Sequence, residues 1–87
     1  MTSVRQELRY FIVENFLFGQ DQGLADGTSF LENGIIDSTG VLELVAHLEA
    51  IYGIKVRDDE LVPENLDSID AVVAFLERKH NTAVKLG

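Results

Sequence analysis

The chain has 87 residues, a net charge of −8 and 46% hydrophobic residues, which allows one domain around a modest apolar core. It has no cysteine, and its only histidines, His47 and His80, stand far apart, so a disulfide framework is excluded and a metal site disfavoured. Twelve acids lie between Asp21 and Asp70 against two bases, Lys55 and Arg57, a field that repels nucleic acid and anionic lipid and steers toward basic protein surfaces.

In chain order, the spacing of Val4, Leu8, Phe11, Ile12 and Phe16 predicts a first helix from about Ser3 to Phe18. Ser3 is its candidate N-cap, with Gln6 three residues on, and Gly19 is placed to end it. The apolar run Tyr10 to Gly19 carries Glu14 and Asn15 and is too short to span a bilayer. With no signal-peptide pattern beside it, a soluble, cytoplasmic protein without membrane insertion is expected. Residues 20–36 lack a sustained period and read as a long loop, tethered by Leu24, Phe30, Leu31, Ile35 and Ile36.

A second helix is predicted over Ser38 to Tyr52. Its apolar stripe is Val41, Leu44, Val45, Leu48 and Ile51, Asp37 is its N-cap, and Gly53 stops it. Asp58 to Val62 reads as a short helical turn limited by Pro63. Asp67 is the expected cap of a last helix that packs Ile69, Val72, Val73 and Leu76 inward and fades near Lys79 or His80. Arg78, Lys79 and His80 suit the negative end of that helix. The domain is expected to occupy residues 1–80, with 81–87 a flexible tail. No alternating strand pattern is present, so the expected fold is an all-α bundle.

Ser38 is the residue to explain, because Asp37 already supplies the cap one position earlier. A structural hydroxyl, a nucleophile and an attachment point are the three readings. Nucleophilic catalysis needs a base. His47 is nine residues along the same helix, about 13 Å away at 1.5 Å of rise per residue, and there is no G-x-S-x-G elbow. His47 reads as a half-exposed surface residue, and no catalytic residue is assigned. A phosphodiester at Ser38 would face free backbone N–H groups at the positive end of the helix.

The run "DSTGVLELVAHLEAIYGIKV", Asp37 to Val56, resembles the central motif of acyl carrier and peptidyl carrier proteins. "FLENGIID" before it and "PENLDSIDAVVAFL" after it resemble that family's entry loop and last helix. The resemblance implies a carrier-like bundle of three main helices and one short one, with a long loop between helices one and two. It implies that Ser38 carries 4′-phosphopantetheine from coenzyme A, supported by Asp37, and that the arm's thiol holds acyl or aminoacyl cargo. Glu43 and Glu49 would belong to an acidic face read by partner enzymes.

The sequence departs from fatty-acid carriers at Thr39 and Gly40, where a leucine and an acid are usual. D-alanyl carrier proteins resemble this chain there, since they also place glycine two after the serine. Thr39 and Gly40 therefore join the expected partner-recognition set, and Gly40→Asp is expected to keep the fold. The implied partners are a phosphopantetheinyl transferase, an acyl- or aminoacyl-adenylating ligase and downstream acyl-transfer enzymes, around a monomeric, non-enzymatic carrier. The competing class is a non-covalent acidic helical adaptor whose binding weakens with salt and is indifferent to Ser38.

Overall fold

A computed structural model describes residues 3–20 and 24–86, with side chains as far as Lys79. The first helix, α1, is Val4–Phe16. Ser3 Oγ accepts the Gln6 N–H at 3.1 Å, and Gln6 Oε1 accepts the Ser3 N–H at 3.3 Å, the reciprocal capping box the sequence offered. The helix stops at Phe16, earlier than expected, because Leu17 turns into the core and Phe18 takes a positive φ of 55°.

α2 is Ser38–Tyr52, capped by Asp37 and ended by Gly53 at φ 67°, a left-handed position that glycine takes without a Cβ penalty. Leu44 and Leu48 are fully buried, with Val41 and Val45 packed beside them. Ile51 departs from the expected stripe and is 60% exposed. Tyr52, four residues after Leu48, packs against the core in its place.

A 3₁₀ turn spans Asp58–Glu60. Pro63 does not merely limit it: it opens a separate one-turn helix, α3, Pro63–Leu66. A proline suits the first helical position, where its missing N–H has no partner to lose. α4 is Ile69–Leu86, longer than the end near Lys79 or His80 that composition suggested. Its cap is Ser68, whose Oγ accepts the Ala71 N–H at 3.0 Å, and not Asp67. The His80 side chain, like those of 81–87, lies outside the described residues.

Asp67 is occupied elsewhere. Its carboxylate accepts from the Ser29 hydroxyl and from the Leu31 N–H at 2.9 Å, and its carbonyl accepts the Phe30 N–H at 2.8 Å. Three bonds thus clamp the middle of the long loop to the α3–α4 junction. A second clamp lies upstream. Asp26 O accepts the Asp70 N–H at 2.9 Å, and the Asp26 carboxylate is bridged by Arg5 at 3.0 Å and Arg9 at 2.5 Å. Arg9, with Arg5, holds the Asp26 carboxyl below its ordinary range.

The core joins Leu8 and Ile12 of α1, Leu44 and Leu48 of α2, and Ile69, Val72 and Phe75 of α4. Leu24, Phe30 and Ile36 plug it from the loop. Leu31, an expected tether, is 47% exposed, because its neighbour Phe30 takes the inward place. Among the described residues the secondary structure is entirely helical. Among the described residues no helix is long and apolar enough to cross a membrane.

Candidate functional site

The α2 N-terminus is built by Asp37. Its backbone is extended, at φ −93° and ψ −176°, and its Oδ1 accepts the Gly40 N–H at 2.7 Å. The Asp37 carbonyl accepts the Val41 N–H at 3.0 Å. The capping duty is therefore discharged one residue before Ser38. Ser38 is the first helical residue, it is exposed, and among the described residues none hydrogen-bonds its hydroxyl. A phosphate ester there would meet the positive end of a four-turn helix.

Gly40 is buried, and its surroundings give it a reason the sequence did not show. A Cβ added there would lie 2.9 Å from Ile36 Cγ2, 2.9 Å from Phe16 Cε1 and 3.3 Å from Asp37 Oδ1. The end of α1 packs directly on the first turn of α2, and a Cβ at this position would require Ile36 or Phe16 to shift. Gly40→Asp is therefore expected to strain this contact and destabilise the fold, where the sequence alone predicted no disturbance. Gly40 faces the interior, so it cannot itself present a surface to a partner.

The other expected residues divide in the same way. Thr39 and Glu43 are exposed on α2 near Ser38. Glu49 is half-buried, and its Oε2 accepts the Val56 N–H at 2.9 Å, holding the segment that follows the helix. The exposed face of α2 reads Ser38, Thr39, Leu42, Glu43, Ala46 and Ala50, with one acid. Several of the other acids are committed to internal bonds: Asp26 and Asp70 to Arg5, Glu60 to Lys79 at 2.8 Å, and Asp67 to the loop.

Beside Ser38 runs an apolar cleft of about 250 Å³, bordered by Leu31, Val41, Leu42, Leu61, Val62 and Pro63. Leu42 is 60% exposed there. Its exposure does have a sequence signal: a leucine lying off the buried stripe has no place in the core. Asp58, Asp59 and Glu64 are exposed on the elements flanking the far wall.

A wider groove of about 620 Å³ lies toward the other end of α2, between α1 and α2, and is lined by Glu7, Tyr10, Phe11, His47, Ile51 and Tyr52. His47 stacks on Phe11 with ring centroids 3.8 Å apart, and burial pushes its pKa down. Burial, with Glu7 beside it, pushes the Tyr52 hydroxyl up to about 12. His47 is thus a packing residue on an unbroken helix, held away from Ser38, and the two form no nucleophile–base pair. Among the described residues no cluster of three metal-ligating groups occurs.

No protein-family model matches the chain. It is 34% identical over 76 residues to an "Acyl carrier protein" of Akkermansia muciniphila, covering 87% of this chain and 91% of that protein. It is 30% identical over 67 residues to the "Probable acyl carrier protein PigG" of a Serratia species, covering 77% of each. Among solved structures it resembles a chain in "Crystal structure of FAD-dependent dehydrogenase", with a TM-score of 0.71 and 32% identity. That likeness covers 79% of this chain and 97% of the other.

Proposed function

This chain belongs to the acyl carrier protein family, and we propose that it holds its cargo as a thioester on 4′-phosphopantetheine joined to Ser38. Its role is that of a carrier, the role its relatives are named for. The observation that supports Ser38 is its position: an exposed hydroxyl at the first residue of α2, with the cap already made by Asp37. The neighbouring residues fit the group. The helix end favours the phosphodiester charge, and the apolar cleft beside Ser38 offers the arm and its cargo a dry wall.

Attachment requires Ser38 Oγ to attack the β-phosphorus of coenzyme A. A P–O bond forms, 3′,5′-ADP leaves, and the hydroxyl proton passes to a base of the transferase. This chain supplies the acceptor, its exposure and its electrostatic setting. Once attached, the arm supplies the thiol that holds the cargo.

We place the carrier with its enzymes in the cytoplasm and assign its loading to an AMP-forming ligase. In that reaction an acid and ATP give an acyl adenylate and pyrophosphate, and the arm's thiol then displaces AMP. The Ser38-Thr39-Gly40 run, similar to that of D-alanyl carriers, supports this assignment, although Gly40 also answers to packing. The solved neighbour supports one further partner class. Its matched chain is about the length of this helical domain, in a structure named for an FAD-dependent dehydrogenase. We therefore include a flavin-dependent dehydrogenase among the enzymes that act on the tethered cargo.

The test is co-expression with a broad-specificity phosphopantetheinyl transferase, followed by intact mass measurement. A gain of one phosphopantetheinyl group, absent in Ser38→Ala, is expected. No gain with several transferases contradicts the proposal and leaves the non-covalent adaptor.

A further inference from the structure

Among the described residues Phe18 is the most exposed large apolar side chain, at 89%, and the one non-glycine residue with positive φ, at 55°. Both features oppose stability. A ring in water gains nothing from burial, and a residue with a Cβ is disfavoured in the left-handed region, where helix ends ordinarily place glycine or asparagine. Gly19 follows at once at φ 81°, so the glycine this turn calls for stands one position late. An exposed aromatic held in an unfavourable backbone conformation points to a function outside the fold.

Its location is fixed by two contacts. Phe11 stacks on His47, and Phe16 lies against Gly40. α1 and α2 therefore run antiparallel, and moving toward the end of α1 moves toward the start of α2. Phe18, two residues past Phe16, stands at the Ser38 end of the bundle. Leu42 and the apolar cleft border Ser38 from α2 and α3, whereas Phe18 approaches from α1.

We propose that Phe18 is an anchor for the phosphopantetheinyl transferase, seated in an apolar pocket of that enzyme. This rests on the carrier reading of Ser38. The transferase is the partner whose active site must reach Ser38 Oγ itself, with no arm to extend its reach. It must cover the surface around that atom, and an ordinary interface takes about 800 Å² from each partner, a patch roughly 30 Å across. Such a patch centred near Ser38 extends over the end of α1. Enzymes that meet the cargo at the far end of the arm need not cover this ground. Aromatic residues that become buried in a partner's pocket are enriched among the few residues that carry most of the binding.

The experiment compares transfer rates from coenzyme A to unmodified wild type, Phe18→Asn, Phe18→Tyr and Tyr10→Asn, read by intact mass, with Tm measured for each. Asparagine tolerates positive φ, so Phe18→Asn keeps or raises Tm. Its kcat/KM for transfer falls at least tenfold, through KM, while Phe18→Tyr stays within about threefold of wild type. Tyr10, 69% exposed and nearer the other end of α1, serves as the control, and Tyr10→Asn is modified at the wild-type rate. Modification of Phe18→Asn at the wild-type rate overturns the inference alone. Failure of the wild type to accept the group from several transferases overturns the carrier reading, and this inference with it.

Discussion

Gly40 shows how one missing side chain sets the position of the proposed attachment site. In an ordinary helix, alanine in place of glycine stabilises by about 1 kcal/mol. Here the added Cβ meets Ile36 and Phe16, each at 2.9 Å. Ile36 is 1% exposed and cannot retreat, so overpacking of about 1–3 kcal/mol outweighs the helical gain. Gly40→Ala is expected to lower stability in urea denaturation, and Phe16→Leu is expected to recover part of the loss in the double variant. A stabilised Gly40→Ala would show that the close approach is not constraining. His47 gives a second residue-scale prediction. Burial holds its folded pKa below 6.5, so its contribution is present above pH 6.5 and is lost as pH falls through the folded value. The groups facing it are Phe11, Tyr52 and Glu7. An NMR titration should place its pKa below 6.5, and Phe11→Ala should move it upward by restoring solvent.

Among the elements, the long loop matters most for the site. It leads from α1 to Asp37, and the Asp67 clamp fixes its middle. Removing that carboxylate leaves the Ser29 hydroxyl and the Leu31 N–H without their partner. Asp67→Ala should therefore cost about 1–3 kcal/mol. Hydrogen exchange should rise at Leu31 while the amides of α1 stay protected; unchanged exchange at Leu31 would contradict the clamp. This clamp was not legible in the sequence, where Asp67 read as a helix cap. An aspartate before a helix predicts a cap by local chemistry alone, whereas its use by residues 29–31 depends on a contact 36 residues away in the chain. The capping box at Ser3, the Asp37 cap and the Gly53 stop were legible because each is settled within four residues. The buried stripe of α2 was legible from periodicity up to Leu48. Ile51 was not, because exposure in the last turn depends on what covers it. The same limit hid the value of Gly40, whose neighbours come partly from α1.

For the molecule as a whole, the acidity seen in composition is spent unevenly. Asp26 and Glu60 are held below the ordinary carboxyl range, by Arg9 and by Lys79 respectively. Carboxyls lowered in this way stabilise the fold above their unfolded pKa, and the benefit is lost as pH falls through the folded values. The Tm difference between wild type and Asp26→Asn should therefore be largest near pH 7 and shrink below the ordinary aspartate value of 3.8. A difference independent of pH would show that charge plays no part. The exposed α2 face beside Ser38 carries the single acid Glu43 amid Thr39, Leu42 and Ala46. The surface a partner meets there is more apolar than the net charge of −8 suggests.

The proposed attachment point is one oxygen atom, and Thr39 offers a second hydroxyl directly beside it. The most direct measurement is peptide mapping with fragmentation of the protein after reaction with coenzyme A and a phosphopantetheinyl transferase. One phosphopantetheinyl group is expected, on Ser38, with the Thr39 hydroxyl unmodified. A group found on Thr39 or elsewhere, or retained in Ser38→Ala, would contradict it.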